Sequence, residues 1–151
     1  MPITFHFRPD ANLVVCVHEG TRPDDQFLAC CKTMYKHELY DLSMNRLVDM
    51  REAESASRST DCLRKLASFL CEQFKETQAH PKIAIVAPKD LSFGIARMYE
   101  IFTEDEDRPW DLVIFRAVDA ALAWLDLPDD FLDDIEKDAQ QDVSGDAGWR
   151  A

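Results

Sequence analysis

Two short segments, Ile83-Ala84-Ile85-Val86 and Leu112-Val113-Ile114-Phe115, are apolar at every position. A strand with one face in water alternates polar and apolar residues, so a strand without alternation must be covered on both faces. The first run sits in a strand from Lys82 to Ala87 between Pro81 and Pro88, and the second in a strand from Asp111 to Phe115. Helical patterns follow each, from about Leu91 to Phe102 and from Val118 to Leu125. Strands alternating with helices at this spacing predict βαβ units and a mainly parallel sheet.

The chain upstream extends the same plan. Ile3, Phe5 and Phe7 alternate with Thr4, His6 and Arg8, and the β-branched run from Leu13 to Glu19 follows the turn formers Pro9, Asp10 and Asn12. These two segments predict an antiparallel hairpin. A helix is expected from Pro23 to His37, with Asp24 and Asp25 in the first turn where the helix dipole favours negative charge. A short strand from Asn45 to Met50, a polar loop from Arg51 to Ser59 and a helix from Thr60 to Gln78 come next. The last of these carries Leu63, Leu66, Ala67, Leu70 and Phe74 at helical spacing.

The expected fold is therefore α/β: an N-terminal β-hairpin leading into repeated βα units, with a five-stranded mixed, mainly parallel sheet. Residues 1–125 form the expected domain, and residues 126–151 an acidic C-terminal segment. That segment holds nine acidic residues against two basic ones. Leu127, Phe131, Leu132, Ile135 and Ala139 still share a helical face, which predicts an amphipathic helix and then unstructured chain from about Val143.

Leu47-Val48-Asp49-Met50-Arg51, the stretch from Ala84 to Glu100, and Phe115-Arg116 followed by Ala120-Ala121-Leu122-Ala123-Trp124-Leu125 together resemble STAS-like domains. These are related in fold to anti-sigma-factor antagonists and to the cytoplasmic domains of sulphate transporters, and include bacterial proteins of STAS/SEC14 type. The resemblance implies a non-catalytic regulatory or protein-interaction module. Anti-sigma antagonists carry a phosphorylatable serine in an Asp-Ser-Ser-Gly-like turn; here Ser55-Ala56-Ser57-Arg58-Ser59-Thr60-Asp61 keeps hydroxyls without the motif. Ser59 and Thr60 are the phosphorylation candidates, set against simple helix capping.

Charge and composition narrow the function classes. The formal net charge is -12, which repels phosphate backbones and anionic lipid headgroups and argues against nucleic acid and membrane as partners. The opening Met1-Pro2-Ile3-Thr4-Phe5-His6-Phe7-Arg8 lacks the features of a signal peptide, so a cytoplasmic location is expected. The five cysteines include no C-x-x-C pair and read as small buried hydrophobes. No glycine-rich phosphate loop, metalloprotease motif or nucleophile elbow is present, so neither catalysis nor a metal or cofactor is expected. His6 and His18 could share a sheet face across the hairpin, but two histidines without a third ligand make a weak metal argument. Gly94, alone in its helix, points to close packing of backbone.

Ligands of parallel sheets sit outside the carboxyl ends of the strands. Asp49, Arg51, Lys89, Asp90 and Arg116 fall there, and Arg97 lies one turn from Glu100 on the adjoining helix. The candidate anion or partner site uses Arg51, Arg97 and Arg116, set against ordinary capping and surface pairing. Burial adds a second surface. If successive βα units progress in one direction, their right-handed crossovers put the helices on one face, and something else must cover the other. The candidates are the amphipathic helix around Phe131, Leu132 and Ile135, and a second copy of the chain in a homodimer. The alternative to an interaction module is a protein that binds a nucleotide or an apolar ligand.

Overall fold

The computed structural model describes residues 3–20, 22–54, 58–104, 108–137 and 143–144. Strands β1 (Ile3–Arg8) and β2 (Leu13–Gly20) form the antiparallel hairpin, with Ile3 opposite His18 and Arg8 opposite Leu13. Helix α1 (Asp24–Thr33) leads to β3 (Asn45–Ala53), α2 (Thr60–Gln73) to β4 (Lys82–Val86), and α3 (Asp90–Glu104) to β5 (Asp111–Phe115). Helices α4 (Val118–Trp124) and α5 (Phe131–Lys137) follow, then a two-residue strand β6 (Val143–Ser144). The sheet order is β5-β4-β3-β2-β1-β6; β2, β3, β4 and β5 run parallel, and both pairings of β1 are antiparallel. The architecture is the expected α/β fold with its mixed, mainly parallel sheet.

Several boundaries differ from the sequence reading for physical reasons. Helix α1 stops at Thr33 and continues as a 3-10 turn, Met34–Lys36, so Met34 reaches the core. Helix α2 ends at Gln73, and its C-cap Phe74 turns inward against Trp110, ring centroids 5.4 Å apart. Strand β3 runs on through Arg51, Glu52 and Ala53, which sequence assigns to a polar loop, because an irregularity between Val17 and Glu19 re-registers β2 and lets Glu19 and Gly20 pair with Glu52 and Ala53. The segment at Val143, expected without structure, pairs with Thr4 and Phe5 on the open edge of β1.

All three crossovers step in one direction across the sheet, and α1, α2 and α3 accordingly pack on one face, burying Phe27, Cys30, Cys62, Leu70 and Ala96 against β1, β2 and β4. The opposite face is covered by α4 and α5, whose Ala121, Leu122, Leu132 and Ile135 bury Leu13, Val15, Leu47, Ala84 and Val86. The tail helix thus covers that face from within the same chain, and α4 shares the task. Asp126, at φ 59°, makes the reversal: Asp126 N–H donates to Ala123 and Leu127 N–H to Leu122, closing α4 in a Schellman turn that sends the chain back toward α5. Among the described residues no helix is long and apolar enough to cross a membrane.

Candidate functional site

Strand β3 is central, with β2 on one side and β4 on the other. On the face toward α4 and α5, its Leu47 is 0% exposed and Asp49 is buried. On the face toward α1, α2 and α3, its Arg46, Val48 and Met50 are each only half-buried. A central strand in a two-sided α/β fold should be shielded on both faces. Here the three helices stand off the sheet and leave a partly open cavity of about 100 Å³.

The walls of this cavity come from every element on that face. Phe5 and Cys16 belong to the hairpin, Ile83 and Ile85 to β4, Leu63, Leu66 and Leu70 to α2, and Ile95, Ala96 and Tyr99 to α3. A smaller recess of about 40 Å³ adjoins it, sharing His18, Phe27, Met50 and Ile95, and lined further by Arg22, Arg58 and Ser92. Since Gly20, Ala53 and Ser92 border that recess, it lies beside the carboxyl ends of β2 and β3, where parallel sheets accept ligands. Arg58 is built into its rim: it donates to the Arg22 carbonyl (2.5 Å), pairs with Asp24 (3.2 Å) and stacks on the Phe27 ring (4.1 Å).

The far end of the cavity holds a charge. Arg46, at the start of β3, donates from Nη2 to the Tyr35 hydroxyl at 2.6 Å and to the Tyr40 hydroxyl at 3.4 Å, and its guanidinium lies 5.3 Å from the centroid of the Tyr35 ring. Its Nε is buried and has no hydrogen-bond partner among the described residues. Among the described residues no aspartate or glutamate lines the cavity, and no ion pair involves Arg46.

The other titratable groups there are driven to their neutral forms by burial. Desolvation raises the Cys16 thiol to about 11, against the Arg46 charge that lowers it, and raises Cys31, Tyr35 and Tyr99 well above their ordinary values. His18 falls to about 4, through burial first and then the Arg58 charge. At neutral pH the cavity therefore carries one positive charge in an apolar surround, because a guanidinium stays protonated.

The residues singled out from sequence occupy other places. Arg51 clasps Asp49 through two side-chain bonds of 3.0 and 2.9 Å, on the α5 side of the sheet. With Thr4, His6, Glu19 and Ile135 they line a separate recess of about 260 Å³. Arg116 pairs with Asp90 at 2.7 Å, donates to the Pro88 carbonyl at 3.2 Å and stacks on Phe93, and Lys89 reaches the Ala53 carbonyl at 3.4 Å. Arg97 pairs with Glu100 within α3. Each of the three arginines is thus held by its own carboxylate, and Arg51 and Arg97 belong to opposite faces.

Ser59 is the N-cap of α2, its hydroxyl accepting from Cys62 N–H at 3.1 Å, and Thr60 is the first helical residue. Ser55, Ala56 and Ser57 lie outside the described residues. Leu132 and Ile135 are buried on their own sheet, with Phe131 half-buried beside them. His6 and His18 are corrected to opposite faces: Ile3 pairs with His18, so the pleat puts His6 on the other side, where it is buried. No group of three or more metal-ligating side chains exists among the described residues. Gly94 is likewise corrected, for a Cβ there would meet nothing within 4 Å, so backbone contact does not explain it.

Sequence reasoning passed over Arg46, Tyr35 and Tyr40. The available signal was a charged residue beside Leu47 in a strand flanked by apolar strands. Comparisons with protein families, with curated proteins and with solved structures found no match for this chain.

Proposed function

We propose that this chain is a non-catalytic binding module that holds a small, mainly apolar molecule between β3 and the layer of α1, α2 and α3. The observation that carries the reading is the half-burial of Val48 and Met50 on a strand whose Leu47 and Asp49, on the other face, are buried. A protein with no use for that space would gain by filling it, since each methylene buried contributes about 0.8 kcal/mol. The raised thiols of Cys16 and Cys31 support binding over chemistry, because the thiolate is the reactive form. Thermal unfolding in rising concentrations of benzene tests it. Tm should climb with concentration, as it does when a ligand binds only the folded state, and an unchanged Tm up to saturation would refute the reading.

A second reading, a regulatory module acting through protein contacts, is favoured by the outer face of α3. Leu91, Met98 and Ile101 are 48%, 37% and 51% exposed there. With exposed Gly94 they form one stripe at helical spacing. In this reading the stripe seats α3 of a second copy, and the bare Gly94 backbone lets the helices approach closely. Sedimentation equilibrium should then show a dimer that Ile101→Asp dissociates; a wild-type monomer at high concentration would exclude it.

A further inference from the structure

The cavity is apolar along its length and charged at one end, which narrows what can occupy it. Val48, Leu66, Ile85 and Ile95 would accept hydrocarbon. Arg46 is a half-buried cation with hydroxyl neighbours and a buried Nε–H, and among the described residues that Nε–H has no partner and the cavity wall has no carboxylate. A buried charge is costly unless it is paired and hydrogen-bonded. Tyr35 and Tyr40 supply hydroxyl acceptors to one nitrogen and no countercharge.

We propose that Arg46, flanked by the hydroxyls of Tyr35 and Tyr40, receives the carboxylate of a small aliphatic acid whose hydrocarbon part lies along Val48 and Met50 toward the recess beside His18. This rests on the binding reading above and deepens it by naming the ligand class. A carboxylate matches a guanidinium in shape and cancels one charge with one charge. It also fits the phenols, because burial keeps Tyr35 protonated, so its hydroxyl can accept from Arg46 and still donate to an anion.

Charge disfavours a dianion, and volume disfavours long-chain acids. A phosphate dianion would leave one charge unpaired among aliphatic walls, and Arg58 is already engaged with Asp24 and the Arg22 carbonyl. A cavity of about 150 Å³ holds benzene, so this one and its adjoining recess, about 100 and 40 Å³, have room for roughly six non-hydrogen atoms. Butanoate has that size.

Titration calorimetry of the whole chain at neutral pH, comparing butanoate with the isosteric butanamide, tests the assignment. The acid should bind at least about ten-fold more tightly, the usual scale for a hydrogen bond to a charged group. Arg46→Met should erase that preference while still binding the amide. Equal binding of acid and amide by the wild type, or a preference that survives in Arg46→Met, would overturn the assignment and leave the cavity reading standing. If neither compound binds, both fall. The wild-type comparison needs no variant, so it decides the matter even if Arg46→Met does not fold.

Discussion

Leu47 and Val48 are neighbours in the middle of the central strand, yet Leu47 is completely shielded while Val48 is only half-buried. The pleat sends the two side chains to opposite faces, so the difference compares the two helical layers directly. Helices α4 and α5 press onto Leu47. On the other face, α1, α2 and α3 leave a void over Val48.

The same pair should respond oppositely to substitution. Leu47→Ala removes packed atoms and should cost about 2–5 kcal/mol. Val48→Ile adds a methylene to space that is already empty, so it should be neutral or stabilising by up to about 1 kcal/mol, and it should weaken ligand binding. Urea denaturation of both variants checks this, and a Val48→Ile protein destabilised by more than about 1 kcal/mol would mean that the face is already packed.

Arg46 should be a liability in the ligand-free protein. Taking a charge out of water costs free energy that an apolar side chain of similar length does not incur. Arg46→Met should therefore raise the urea midpoint in the absence of ligand while erasing the preference for acid over amide. A large loss of stability would show that the folded chain already compensates the charge.

His18 makes stability depend on pH. Its folded pKa of about 4 lies below the ordinary 6.5, so between these values the unfolded chain takes up a proton that the folded chain refuses. Stability is then complete above pH 6.5, declines as the pH falls toward 4, and is flat in this respect below that, the full effect being a few kcal/mol at most. His18→Gln removes the dependence. The difference between the two stability curves should open across that window, and parallel curves would contradict it.

Two helix positions give local tests. Ser59→Ala deletes the hydroxyl that caps α2 and should cost about 1 kcal/mol. Gly94→Ala places a methyl in open space and should stabilise α3 by about 1 kcal/mol. If α3 docks on a second copy, the same methyl should weaken the dimer, and sedimentation alongside denaturation would separate the two effects.

Much of this fold is legible in the amino-acid sequence. The doubly apolar β4 and β5, the alternation in β1 and the amphipathic pattern around Leu132 and Ile135 are local signals, and the elements that they specify are present. Which face each element takes is not local. The positions of His6 and His18 depend on the hairpin register, and the placement of α4 depends on the turn at Asp126. The cavity is the least legible feature, because Val48, Met50, Leu66 and Ile95 have the composition of an ordinary core. Only the distance between layers distinguishes a packed core from a hollow one. Arg46 is visible as a residue, but the alternation in Asn45-Arg46-Leu47-Val48-Asp49-Met50 puts charged or polar groups on both faces and does not say which one is closed.

The most direct test of a ligand cavity over β3 uses the methionines as reporters. Met34 and Met50 line the cavity, Met44 is buried outside it, and Met98 is exposed on α3. With methyl-labelled methionine in the full chain, NMR spectra under increasing xenon pressure should show the Met34 and Met50 resonances shifting and saturating while Met44 and Met98 stay in place. Resonances that remain still at Met34 and Met50, or move by the same amount at all four sites, would contradict the account.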